Sequence, residues 1–165
     1  MDTTTPRLGR YTIDPDGSSV TFTGRHLFGL LPVRGTFAVR GGTVEVAEPL
    51  SGSRVRAEID AASFRTGNDR RDTAVRSARF LDAGRHPLIT FASDRVDATA
   101  VSGTLTVCGR SRPAVLSIAH REVFADAFTV RVTAQVDRTD FGVTAARGMA
   151  GRRLGLTLEI RCLRA

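Results

Sequence analysis

The sequence predicts an all-β fold, a single eight-stranded antiparallel β-barrel with one short covering helix. Three observations carry this. Apolar and polar residues alternate with period two in eight separate runs, the spacing of half-buried strands. Turn signals such as Asp16-Gly17, Gly41-Gly42 and Ser51-Gly52 separate the runs. One segment alone, residues 66–81, breaks the alternation.

The runs come in chain order. Val20 and Phe22 share one face of a run that ends at Arg25. Val33, Gly35, Phe37 and Val39 alternate with Arg34, Thr36 and Arg40. Val55, Ala57 and Ile59 alternate with Arg54, Arg56, Glu58 and Asp60. Thr66-Gly67-Asn68-Asp69 then fits a capping pattern, and Ala74, Val75, Ala78 and Leu81 follow at near-helical spacing. Gly84 and Pro87 stop that helix, which covers one barrel end as a lid or as a static plug. Shorter alternating runs follow at Ile89 to Ser93, Val101 to Val107 and Ala114 to His120. Phe128 to Asp137 and Leu154 to Arg161 complete the eight. A flat sheet of this size would leave its apolar face wet, so it must close into a barrel or fold into a sandwich. Closure also removes both open edges. Residues 1–10 read as a flexible tail and residues 11–165 as one domain.

The 165 residues suffice for one domain with a real core. The 24 basic residues are all Arg and, against 17 acids, give a net charge of +7. Such a charge favours anionic surfaces. Specific nucleic-acid binding is not expected, because single-strand binders need exposed stacking aromatics. Phe22, Phe37, Phe91 and Phe128 instead fall on the apolar parity. The start shows no apolar signal region and no run reaches 18 apolar residues, so the expectation is a cytoplasmic protein with no membrane span. Cys108 and Cys162 fall on opposite faces by parity, which predicts two free thiols.

No catalytic or metal-binding constellation emerges. His26, His86 and His120 lie in separate segments, and no nucleophile elbow or Cys/His metal spacing is present. Asp137 and Asp140 could form an acid/base pair only if their environments split their pKa values; a surface ion-pair cluster is the plainer reading. His26 shares the inward parity of Val20 and Phe22. It suits either a rim histidine held by a backbone carbonyl or a donor to a ligand head group. The inward parity mixes large residues with small ones such as Gly35, Ala57, Ser93, Gly103 and Ala134. That mixture fits a tapered solid core or a hydrocarbon-walled cavity for an apolar ligand. The candidate ligand-binding residues are Phe22, His26, Phe37, Ile59, Val75, Phe80, Phe91, Leu105, Leu116, Phe128 and Leu156. Arg71 and Arg76, on the covering helix, are the candidates for a phosphate or carboxylate head group. No cofactor is expected beyond the bound lipid itself.

Several ordered pieces resemble the YceI-like family. They are Tyr11-Thr12-Ile13-Asp14, Phe22 with His26, and Val33-Arg34-Gly35-Thr36-Phe37. The longest is Thr66-Gly67-Asn68, Arg71-Asp72, Arg76-Ser77 and Phe80-Leu81-Asp82, running into Pro87-Leu88-Ile89-Thr90-Phe91-Ala92-Ser93. Val101 to Val107 with Gly109, and Asp137 to Val143, complete the set. The resemblance implies an extended lipocalin-like barrel whose lumen binds a polyisoprenoid or similar long lipid. It also implies that many relatives are exported and that some pair as homodimers. Two departures from the family pattern are the missing leader and Ser18, where an additional histidine often stands. The functional expectation is a lipid-binding protein that sequesters or carries its ligand. The alternatives are an enzyme acting on such a lipid through His26, Asp137 and Asp140, or a structural barrel that binds another protein.

Overall fold

The computed structural model describes residues 5–26, 31–145 and 151–165. Nine strands are present among them: β1 (Gly9–Ile13), β2 (Ser19–His26), β3 (Leu31–Val46), β4 (Arg54–Arg65), β5 (Leu88–Val96), β6 (Ala100–Val107), β7 (Arg110–Val123), β8 (Ala127–Asp137) and β9 (Arg153–Arg164). One helix, α1 (Asp69–Arg76), lies between β4 and β5. Every pairing is antiparallel, and β3 bonds both β2 and β4, so the sheet closes on itself.

The ring holds eight lanes although it has nine strands. β1 pairs with the end of β3 (Gly9↔Val46 to Thr12↔Thr43) and with the end of β9 (Tyr11↔Arg164 to Ile13↔Cys162). β2 pairs with the other halves of the same two strands. The two are halves of one lane, interrupted between Asp14 and Ser18, where the Asp14 carboxylate accepts from the Asp16 amide at 3.2 Å. β1 therefore begins at Gly9, inside the stretch that the sequence reads as tail. Hydrogen bonds to neighbours on both sides hold it there.

Gly41-Gly42 is not a turn. It lies inside the 16-residue β3, at a register break between Val39 and Gly41. Gly42 has φ +157°, and a Cβ there would sit 2.2 Å from the Arg56 carbonyl oxygen. The missing side chain lets β3 bend across β4 and continue.

The helix is shorter than its pattern and is held differently. Its N-cap is Asn68, whose side chain accepts from the Arg71 amide at 3.0 Å, rather than Thr66. Ala74 and Ala78 are exposed, Val75 is half-buried, and Leu81 lies beyond the helix. The buried helical residue is Asp72, so polar bonds dock α1 where an apolar face was expected.

The core follows the predicted parity over most of the barrel. Tyr11, Ile13, Val20, Val39, Val44, Val132, Leu158 and Cys162 form its main cluster, with Phe128 meeting Tyr11 edge-on at 4.9 Å. Both cysteines are free thiols.

Candidate ligand-binding lumen

The barrel is hollow. A cavity of about 250 Å³ runs along its axis, and each of the nine strands contributes to its wall. Phe37, Ile59, Phe91, Leu105, Leu116, Phe128 and Leu156, all expected as ligand-binding residues, line it. Phe37, Ile59, Leu105, Leu116 and Leu156 are only half-buried, because their inner surfaces face the hollow instead of other side chains. Among the described residues, the wall carries no hydroxyl, amide or charged side chain apart from Ser53, Asp97 and Arg121. Such a surface offers an occupant dispersion contacts and exclusion of water, and almost no hydrogen bonds.

Of the small residues on the inward parity, Ala57 and Ala134 line the hollow as expected, whereas Gly35 and Gly103 do not. A Cβ at Gly35 would lie 2.4 Å from Phe22 Cζ, and one at Gly103 would lie 2.8 Å from Phe91 Cζ. Those glycines make room for neighbouring rings. The wall around the hollow is otherwise mostly aliphatic.

Three of the remaining candidates lie elsewhere. Phe22 is buried but off the cavity wall: its ring stacks on Phe64 at 5.0 Å and meets Phe37 at 5.5 Å. Phe37 and Phe64 meet edge-on at 5.5 Å, so three rings fill the barrel at the α1 end. Val75 and Phe80 also lie off the wall. Phe80 packs beneath the Arg138 guanidinium, 5.7 Å from its centroid. The His26 side chain lies outside the described residues.

Arg71 and Arg76 make protein contacts. Arg76 donates from Nε to the Phe64 carbonyl at 3.0 Å, and its Nη2 makes a second bond to the same oxygen. Arg71 Nε donates to Thr66 Oγ1 at 2.9 Å. Asp72 accepts from the Thr66 amide at 3.0 Å on both oxygens and from the Thr66 hydroxyl. Burial alone would push the Asp72 carboxyl up. The Thr66 bonds, with Arg76 and Arg71 nearby, outweigh it and hold the group below the usual carboxylate range. Arg138, itself buried, donates to the Gly151 and Val143 carbonyls at 2.9 Å each. Cys108 Sγ donates to the Leu81 carbonyl at 3.0 Å. At the α1 end, polar side chains bonded to backbone carbonyls thus tie α1 and the turns beside it to the barrel.

The carboxylates considered for acid/base work take part in the same end. Asp137 accepts from the Thr139 hydroxyl at 2.6 Å and its amide at 3.0 Å, and pairs with Arg152 at 3.4 Å. The hydroxyl bond above all holds it below the usual range, and Arg152 and Arg153 add to this. Asp140 is exposed, and neither residue lines the lumen. Among the described residues, no group of three His, Cys, Asp or Glu could hold a metal.

The opposite end differs. Ser53 precedes β4, Asp97 follows β5, and Arg121 lies near the end of β7, so antiparallel order brings all three polar wall residues to one rim. Asp97 is the exposed member of the wall, so the cavity reaches solvent there. Arg121 was missed by sequence reasoning, since simple alternation from Leu116 and Ile118 turns it outward.

The chain matches the family model described as the YceI-like domain over residues 11–162. It is 29% identical to a UPF0312 protein of Ectopseudomonas mendocina, across 93% of this chain and 87% of the relative. It is 28% identical to Protein YceI of Salmonella arizonae, across 91% and 84%. In structure it is similar to BcnA of Burkholderia cenocepacia (TM-score 0.75, 20% identity, 90% of this chain and 98% of that one). It is also similar to a polyisoprenoid binding domain from Saccharophagus degradans implicated in plant cell wall breakdown (TM-score 0.74, 16% identity, 96% and 100%).

Proposed function

Because this chain belongs to the YceI-like family, we propose that it holds a long apolar chain, of isoprenoid or similar lipid type, inside its barrel and sequesters or carries it without altering it. The observation that carries this reading is the closed barrel with a hydrocarbon-walled lumen along its axis. A wall of this kind rewards removal of apolar surface from water at roughly 25 cal/mol per Å² and discriminates little between one hydrocarbon and another. The polyisoprenoid-binding domain with the same fold supports an isoprenoid as the occupant. Among the described wall residues, burial pushes the Cys162 thiol up to about 12 and Asp97 is held by backbone amides at the rim, which favours carriage over catalysis.

Organic extraction of the purified protein followed by mass spectrometry tests the reading. A long-chain lipid recovered in near-equimolar amount is expected. A lipid-free extract, together with no uptake of geranylgeraniol or oleyl alcohol by the delipidated protein, would overturn it.

A further inference from the structure

The lumen has a polar pole, set by a defect in β7. Residues Ala114, Leu116 and Ile118 are half-buried at alternate positions, and Arg121 and Val123 continue the series one step out of phase. The shift falls at a register break between Ile118 and His120: Ile118 pairs with Val132, His120 with Arg131 and Arg121 with Val130. Since Val130 and Val132 both line the cavity, the extra residue turns Arg121 into the lumen as well.

The Arg121 guanidinium stands at the rim that reaches solvent, beside apolar wall, where it can meet the end of an occupant. Arg121 makes one hydrogen bond, Nη1 to the Ala98 carbonyl at 3.2 Å, which leaves most of its five donors for another acceptor. The other two polar side chains of this rim accept bonds from nearby groups of the chain. Ser53 Oγ accepts from the Ala47 amide at 2.9 Å. Asp97 Oδ1 accepts from the Thr99 amide at 2.8 Å, the Thr99 hydroxyl at 3.0 Å and the Ala100 amide at 2.9 Å. Asp97 forms no ion pair with Arg121.

We propose that Arg121 is the anchor for an oxyanion, carboxylate or phosphate, that terminates the apolar chain held in the barrel. The chain lies with its charged end at the rim opposite α1 and its tail toward the aromatic plug of Phe22, Phe37 and Phe64. From Val130, beside Arg121, to Val136 near that plug is six residues of β8, about 20 Å of wall. The bidentate fork of Arg suits either oxyanion, and its setting beside apolar wall strengthens the bond. This inference rests on the reading that the lumen holds an apolar chain.

The test compares matched pairs on delipidated protein: oleate against oleyl alcohol, and geranylgeranyl diphosphate against geranylgeraniol. The wild type should bind the anionic member of at least one pair about ten- to a hundredfold tighter. The pair that shows this identifies carboxylate or phosphate as the preferred end. Arg121→Gln should abolish the preference while still binding the alcohol, and Arg121→Lys should keep part of it. Asp97→Asn, by removing the opposing charge, should widen it. Equal binding of acid and alcohol by the wild type, or a preference that survives in Arg121→Gln, would overturn the anchor and leave the lumen reading standing. Failure of all four probes to bind would refute both. An unchanged far-ultraviolet spectrum and thermal melt establish that Arg121→Gln is folded.

Discussion

Ala134→Phe asks whether the barrel is hollow or packed. Ala134 faces the cavity from β8 and is half-buried. In a close-packed core the added ring would force neighbours off their rotamers, at a cost of roughly 1–3 kcal/mol. In a hollow it finds unoccupied space. Burying a phenylalanine stabilises by about 1.5–3 kcal/mol, and its lost rotamer freedom takes back roughly 1 kcal/mol. The delipidated variant should therefore gain about 1 kcal/mol, which raises Tm by about 2–4 °C for a domain of this size. The same ring occupies part of a cavity of only about 250 Å³, so ligand affinity should fall at least tenfold. Thermal unfolding of the lipid-free protein and titration with geranylgeraniol measure the two effects. A Tm lowered by several degrees with lipid uptake unchanged would refute the hollow-barrel reasoning, because it would mean that the site is packed and the ligand lies elsewhere.

Three further outcomes are expected. Arg76→Ala removes both bonds to the Phe64 carbonyl, so it should cost about 1.5–3 kcal/mol and speed amide exchange across residues 66–76, with lipid affinity little changed. Asp72 has a folded pKa below its unfolded value, so its stabilisation is full above roughly pH 4 and is lost as pH falls through the folded pKa. Thermal melts from pH 7 to pH 3 should show this loss in the wild type and a flatter profile in Asp72→Asn. Burial pushes the Cys162 thiol up to about 12, so Cys162 should resist a thiol reagent at pH 8 until the protein unfolds, as mass spectrometry of the labelled peptide will show.

What the sequence determines by itself is the fold class and most of the lumen wall. Strand geometry sends alternate side chains to opposite faces, so a run such as Phe128, Val130, Val132, Ala134 and Val136 states its inward face with no reference to any neighbour. The same local rule places Leu105, Leu116 and Leu156 on the wall. The capping chemistry near residue 68 is local too, which is why the helix was legible to within a few residues. Tertiary structure alone decided the rest. Alternation holds only while two strands stay in register, and a bulge is set by how a strand must bend to meet the next one around a closed ring. The break after Ile118 therefore turned Arg121 inward, and the break after Val39 made Gly41-Gly42 a bend in place of a turn. Nor does periodicity carry information on which side chains tie the α1 end to the barrel. The sequence reads Arg76 as a head-group candidate, but it and Arg138 became tethers because the closed ring brought the carbonyls of Phe64, Val143 and Gly151 within reach. A hydrogen bond between residues distant in the chain depends on the path of the backbone between them, and that path exists only once the barrel has closed.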